Sequence, residues 1–348
     1  MSGEQRACIL SVSGAELRAE EVRMLGDVQP WAVILMGRSC VSRDQVRALI
    51  DSIWSALGRA CLIFIDQEGG RVARLKEPHW PKFPAPHAYA DLYRLDQARG
   101  KEASWLGHRL IAHELSAMSI HANCAPVLDR TVPGAHEIVG DRAMGAAPEE
   151  IAVLGREALR GMRDGGVAGV IKHIPGHGRA LVDSHEELPK ITAGDNELGE
   201  DFSCFSALTD APMAMTAHIA YTAIDAESPA TLSAKMIDEI IRQKIGFGGL
   251  LMTDDLGMKA LGGTLAARAK GALEAGCDIA LHCSGFVKEA DQILKEMYEV
   301  GEASCVLEGA SLARARHAEN FSTLAKPFDA EAGYARLDEL LSTLEVAA

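Results

Sequence analysis

Trp31-Ala32-Val33-Ile34-Leu35-Met36-Gly37 and Cys61-Leu62-Ile63-Phe64-Ile65-Asp66-Gln67 flank a helical pattern over residues 42–57 that opens on Ser42. Both flanking runs are apolar on alternate positions of either parity. A strand with that pattern is covered on both faces, as in a parallel sheet wrapped by helices. Ser42 is a good N-cap residue. The segment therefore predicts one strand–helix–strand unit, and the rest of the chain repeats it.

Working outward, apolar runs recur at 7–14, 120–129, 167–177, 211–219, 249–255 and 277–283. Helical patterns lie at 15–26, 99–118, 148–164, 233–245 and 264–275, with Ser233 a second N-cap and Pro148 suited to a first turn. Eight strands with intervening helices predict an α/β fold, the (β/α)₈ barrel of the TIM type. A doubly wound open sheet shows the same alternation, so the count of eight decides. No Gly/Ser/Pro linker divides the chain, so residues 1–348 are expected to form one barrel. Helical sequence after the eighth strand (289–300, 306–318, 330–344) predicts extra C-terminal helices, with 303–348 a tail packed on the barrel. The stretches 76–96 and 130–147 read as long strand-to-helix loops, a length that usually carries function.

Composition narrows the partners. The formal net charge is −14, which argues against a nucleic-acid partner, since a phosphate-binding surface is basic. No apolar stretch approaches the ~20 residues of a membrane span, and the polar start followed by 7–12 has no basic n-region or cleavage site. Eight cysteines include no CxxC pair, and Cys61, Cys124 and Cys277 sit in apolar runs, as free thiols do. A cytosolic chain is expected. An acidic surface without a heptad repeat predicts a monomer.

Polar residues gather at the C-terminal ends of the runs: Asp66-Gln67-Glu68, Asp129, Lys172-His173, His218, Asp254-Asp255 and His282. In a barrel these ends converge on one face, where active sites are built. The most informative stretch is Lys172-His173-Ile174-Pro175-Gly176-His177-Gly178-Arg179-Ala180-Leu181-Val182-Asp183-Ser184-His185. Pro175 and two glycines exclude a helix. It is a strand end entering a loop that carries Asp183 and His185. A carboxylate on one ring nitrogen fixes the tautomer and gives the other nitrogen a proton-transfer role.

Here the chain resembles glycoside hydrolase family three, and within it the bacterial single-domain β-N-acetylglucosaminidases of peptidoglycan recycling. The resemblance rests on Ile65-Asp66-Gln67-Glu68-Gly69-Gly70-Arg71-Val72, on 172–185, and on Leu251-Met252-Thr253-Asp254-Asp255-Leu256-Gly257-Met258. Ala125-Pro126-Val127-Leu128-Asp129, Val139-Gly140-Asp141-Arg142 and Met215-Thr216-Ala217-His218 extend it through strands three to seven in order. It implies Asp254 as nucleophile and His185 as acid/base oriented by Asp183. It implies Asp66, Arg74, Arg142, Lys172 and His173 as sugar-binding residues; no cofactor is expected, nor a metal, since Leu10-Ser11-Val12-Ser13 on strand one offers no HxH pair. The implied substrate is a cytosolic muropeptide bearing terminal N-acetylglucosamine on 1,6-anhydro-N-acetylmuramic acid, hydrolysed with retention. Ile174 stands where the family often has an aromatic residue, and Gly257 where it has Ser.

Other readings stay open on the sequence. Asp255 could be the nucleophile, since only one of two adjacent strand residues faces the barrel mouth. Glu68 is expected to pair with an arginine, Arg74 and Arg142 could be surface ion-pair partners, His218 and His282 rim-packing residues, and His177 a partner of loop backbone. The i,i+4 spacing of His173 and His177 would matter for a metal only on a helix, which Pro175 forbids. A phosphorylase, and a sugar-binding barrel without catalysis, are the alternative functions.

Overall fold

The computed structural model describes residues 4–285, 287–322 and 324–347. Eight strands lie parallel in one sheet: β1 (Arg6–Leu10), β2 (Pro30–Leu35), β3 (Leu62–Ile65), β4 (Ala122–Asn123), β5 (Ala168–Ile174), β6 (Met213–Thr216), β7 (Leu250–Met252) and β8 (Ala280–His282). They pair in the order β7-β6-β5-β4-β3-β2-β1-β8. The two ends of that row meet, because Met252 bridges Ile279 and the Thr253 N–H donates to the Ile279 carbonyl at 3.0 Å. Neighbours in sequence are neighbours in the sheet all the way round. That is barrel order; a doubly wound sheet would reverse at a switch point.

A helix follows each strand: α1 (Ala19–Val28), α2 (Arg43–Leu57), α3 (Gln97–Ser116), α4 (Pro148–Asp164), α5 (Asp195–Ser206), α6 (Met236–Lys244), α7 (Leu265–Ala275) and α8 (Ala290–Ala303). Ser42 Oγ accepts the Gln45 N–H at 3.3 Å, Ser233 Oγ accepts the Met236 N–H at 3.1 Å, and Pro148 opens α4. These satisfy N–H groups that a helix start otherwise leaves unpaired. α6 is wound as a π-helix. α1 starts later than its periodicity suggests. The Glu21 carboxylate collects the N–H groups of Ser13 and Arg18, at 2.7 and 3.0 Å, and bends the preceding residues into a turn.

Side chains alternate across each strand. On β3, Leu62 and Phe64 point into the barrel with Ile9, Ile34, Met213 and Leu250, while Ile63 and Ile65 face the helices. Full burial of such a side chain is worth about 1.5–3 kcal/mol. β4 is regular for two residues only, because Pro126 has no N–H for the ladder; pairing resumes where Val127 bridges Lys172. The 76–96 stretch is a loop only in part, for His87–Leu95 is helical.

The tail closes the lower end. Helix Gly309–Glu319 sets Ala315 and Ala318 against the barrel interior, and Trp31 Nε1 donates to Glu319 at 2.7 Å. Asp278, fully buried just before β8, accepts from Arg314, Arg242, Ser311 Oγ and the Leu251 N–H at 2.6–2.9 Å. Helix Ala330–Ala347 lies along α3, where Arg336 pairs with Glu102 and Tyr334 with Glu114. Among the described residues no helix is long and apolar enough to cross a membrane.

Candidate active site

The opposite, C-terminal face holds a cavity of about 370 Å³. Of the eight residues singled out from the sequence, seven line it; Asp183 stands behind His185 instead. Each is delivered by a strand end or the loop after it.

Asp66 follows β3 directly and faces two cations, Arg74 Nη2 at 2.9 Å and Lys172 Nζ at 3.2 Å. Glu68, two residues on, is buried against Lys172 at 2.6 Å and takes Arg142 in a two-pronged pair at 2.8 and 2.9 Å. Such forked pairs fix direction as well as distance. Burial alone would push both carboxyls up. Arg142 and Lys172 hold Glu68 at about 2, and Lys172 with Arg74 holds Asp66 well below its ordinary value. The Lys172 ammonium is displaced upward: burial opposes its charge, and Glu68 and Asp66 outweigh burial. The strand ends thus carry one linked network of three cations and two carboxylates at the cavity wall.

β5 supplies His173. Its Nδ1–H donates to Asp129 at 2.6 Å, which turns Nε2 toward Asp254, 3.8 Å away. Asp129 also accepts the His177 N–H at 2.6 Å. The His177 ring is not bound to loop backbone as its setting between glycines suggested; its Nε2 meets Ser184 Oγ at 3.0 Å. Burial and neighbouring His173 bring that ring down to about 4.

The adjacent carboxylates of β7 differ sharply. Asp255 is enclosed. Its Oδ1 meets His282 Nδ1 and accepts the N–H groups of Gly257 and Cys283, all at 3.0–3.1 Å, and Oδ2 accepts from Gly285 at 3.4 Å. Asp254 keeps 21% of its side chain exposed to the cavity. Its Oδ1 accepts the Asp255 N–H at 2.7 Å. Burial raises its pKa, but His173 and then His218 prevail, and the carboxyl sits below its ordinary value. His218 is held between Thr231 Oγ1 and the Asp255 carbonyl at 2.7 and 3.1 Å.

Asp183 and His185 share the loop after β5. His185 Nδ1 lies 2.7 Å from Asp183 Oδ1, which also accepts the His185 N–H at 2.8 Å. An ionised carboxylate only accepts, so Nδ1 bears the proton and Nε2 is the nitrogen for exchange. Asp183 sits below its ordinary pKa, because hydrogen bonds from His185 outweigh burial. Among the described residues no three His, Cys, Asp or Glu side chains converge as metal ligands.

Sequence reasoning missed the apolar lining, Met36, Ile138, Met258 and Cys283. Those residues look like ordinary core, and no local signal marks them. It also missed Ser184, which a search for hydrogen-bonding residues between Asp183 and His185 could have found.

Residues 4–314 match the glycosyl hydrolase family 3 N-terminal domain. A β-hexosaminidase of Alkalilimnicola ehrlichii is 41% identical over 281 residues, 79% of this chain and 80% of that protein. One from Thiobacillus denitrificans is 35% identical over 83% of this chain and 81% of its own. Among solved structures, NagZ from Neisseria gonorrhoeae in complex with N-trifluoroacetyl-D-glucosamine superposes with a TM-score of 0.84 at 27% identity, covering 97% of this chain and 98% of that one. A family 3 β-N-acetylglucosaminidase from Paenibacillus gives 0.83 at 26% identity, covering 96% of this chain and 66% of that one.

Proposed function

The chain belongs to glycosyl hydrolase family 3 and is a glycoside hydrolase of the β-N-acetylhexosaminidase kind, and from that premise we propose that it removes terminal β-linked N-acetylglucosamine with retention, through a glycosyl-Asp254 intermediate. The observation that carries the reading is the unequal engagement of the two carboxylates. Asp255 is spent on His282 and three backbone N–H groups, whereas Asp254 opens onto the cavity and is kept ionised beside His173. An ionised, partly uncovered carboxylate suits attack on an anomeric carbon.

In this scheme His185 Nε2–H protonates the departing glycosidic oxygen as Asp254 bonds to C1. The same nitrogen then takes a proton from the water that hydrolyses the ester. Asp183 holds the ring by Nδ1 through both steps. Asp66 accepts from sugar hydroxyls, while Arg74, Arg142 and Lys172 donate to hydroxyl or N-acetyl oxygens and His173 steers Asp254. A cavity of about 370 Å³ lined by Asp66, Arg142 and Lys172 has room for a single terminal sugar.

The substrate is proposed to be a muropeptide bearing N-acetylglucosamine on 1,6-anhydro-N-acetylmuramic acid, met in the cytosol by a monomeric enzyme. The sugar specificity is supported by the structural relative named a β-N-acetylglucosaminidase and by the one solved with N-trifluoroacetyl-D-glucosamine. The compartment is supported by eight unpaired cysteines, six of them buried. The decisive experiment is trapping with a fluorinated N-acetylglucosaminyl donor followed by peptide mapping. The adduct is expected on Asp254; an adduct on Asp255, or steady turnover by Asp254→Asn, sinks the scheme.

A further inference from the structure

The hydrogen bond between Asp183 and His185 orients one ring within its own loop. It does not tie that loop to the barrel. Ser184, between them, does. Ser184 as a whole is 2% exposed, whereas the side chains of Asp183 and His185 retain 22% and 36%. Ser184 Oγ meets His177 Nε2 at 3.0 Å, and its carbonyl accepts the Ala260 N–H at 3.2 Å. His177 is itself fixed from below, because its N–H donates to Asp129, the residue that also aims His173 at Asp254. Gly178 lies so close to the β4 loop that a Cβ there would fall 2.1 Å from the Arg130 carbonyl oxygen. The platform under Ser184 therefore has little room to shift. Ala260 lies on the loop that leaves β7 just past Asp254.

We propose that Ser184 is a positioning residue for His185, a two-point latch joining the loop of the acid/base to the β5 strand end through His177 and to the nucleophile's loop through Ala260. The proposal rests on the acid/base role given to His185. Upstream, the segment is held at Arg179, which pairs with Asp201 at 2.6 Å, and at buried Ala180, whose carbonyl accepts the His136 N–H at 2.8 Å; between these and Ser184 the chain is open, with Leu181 68% exposed. Without the latch Asp183 and His185 would stay paired with each other yet lose registry with Asp254. A displacement of about 1 Å at a catalytic group can cost about 10²-fold in rate. The loss should fall on the step that needs a proton delivered and spare one that does not.

The test compares kcat and KM on two N-acetylglucosaminides, one with a dinitrophenyl leaving group and one with methanol as leaving group. Ser184→Ala is expected to lower kcat/KM on the methyl glycoside about 30-fold, with KM little changed. On the dinitrophenyl glycoside it should stay within about threefold. Ser184→Cys, nearly isosteric but a weak donor, should show the same selectivity to a smaller degree and serves if the alanine variant folds poorly. Combining Ser184→Ala with His177→Leu should cost no more than the larger single loss, since both break one bond. Equal losses on both glycosides, wild-type values for Ser184→Ala, or additive losses in the double variant overturn the latch. His185→Ala is the control: if it slows the two glycosides alike, the acid/base role itself fails; if it is selective and Ser184→Ala is not, only the latch fails.

Discussion

Asp254 and Asp255 are chemically identical neighbours with opposite surroundings, and substitution should separate them. Asp254→Ala removes the proposed nucleophile and should lower kcat about 10³-fold or more, with the thermal midpoint near wild type. Asp255→Ala strips His282 and three N–H groups of their shared acceptor, so the loss should appear as stability, about 3–5 kcal/mol in a denaturant titration. The reverse pattern would exchange the roles. Sequence alternation alone left this choice open because it says which way a strand residue points and not what meets it. Here the discriminating groups, Gly257, Cys283, Gly285 and His282, come largely from β8 and the residues after it, and pattern along β7 cannot reveal them. Gly257, where the family often has Ser, belongs to this arrangement: a Cβ there would stand 3.1 Å from His282 Cε1.

At the scale of elements, β8 and α8 clasp a charged histidine. His282 sits between Asp255 at the end of β7 and Glu296 on α8, with Ser284 Oγ 3.1 Å from Nε2. Burial disfavours the charged ring, yet the two carboxylates hold it up at about 9. The unfolded chain titrates this group near ~6.5. The folded protein binds the proton more tightly, so the stabilisation is complete below about pH 6.5 and fades as pH rises through about 9, for a total of about 3 kcal/mol. Denaturation midpoints of wild type and His282→Gln should differ most near pH 6 and converge toward pH 10; a constant gap would refute the linkage. The tail makes a second case. Asp278→Ala leaves Arg242 and Arg314 facing each other without their acceptor and should cost about 3–5 kcal/mol, measured by denaturant titration, with kcat per folded molecule unchanged. Strands were legible because apolar runs report burial on both faces. α5 was not, since Gly199 and an acidic surface dilute its pattern to Leu198, Phe202 and Phe205. The helix His87–Leu95 was hidden by the prolines before it, Pro84 and Pro86, which read as loop.

For the whole molecule, the remaining question is which nucleophile completes the reaction, water or phosphate. A neutral histidine in place of a carboxylate acid/base would repel phosphate less, which is why phosphorolysis stands as an alternative on sequence. Charge at two larger scales points to water. The chain carries −14 overall, a field that lowers the local concentration of a dianion. Within the cavity, Arg74 already faces Asp66, Arg142 faces Glu68, and Lys172 faces both carboxylates. A phosphate entering beside the glycosyl-Asp254 ester would have to compete with carboxylates for cations whose geometry is set without it. In the proposed scheme water needs only His185 and the ester carbon. Turnover of an aryl N-acetylglucosaminide should therefore be unchanged by phosphate at constant ionic strength. Its first-formed product, followed by NMR before mutarotation, should be the β-anomer of the free sugar. Two displacements at C1 require that retention, because one carboxylate attacks and is then itself displaced. Formation of sugar 1-phosphate, with rate rising as phosphate is added, would assign the chain to phosphorolysis, and an α-anomer would remove the covalent intermediate altogether.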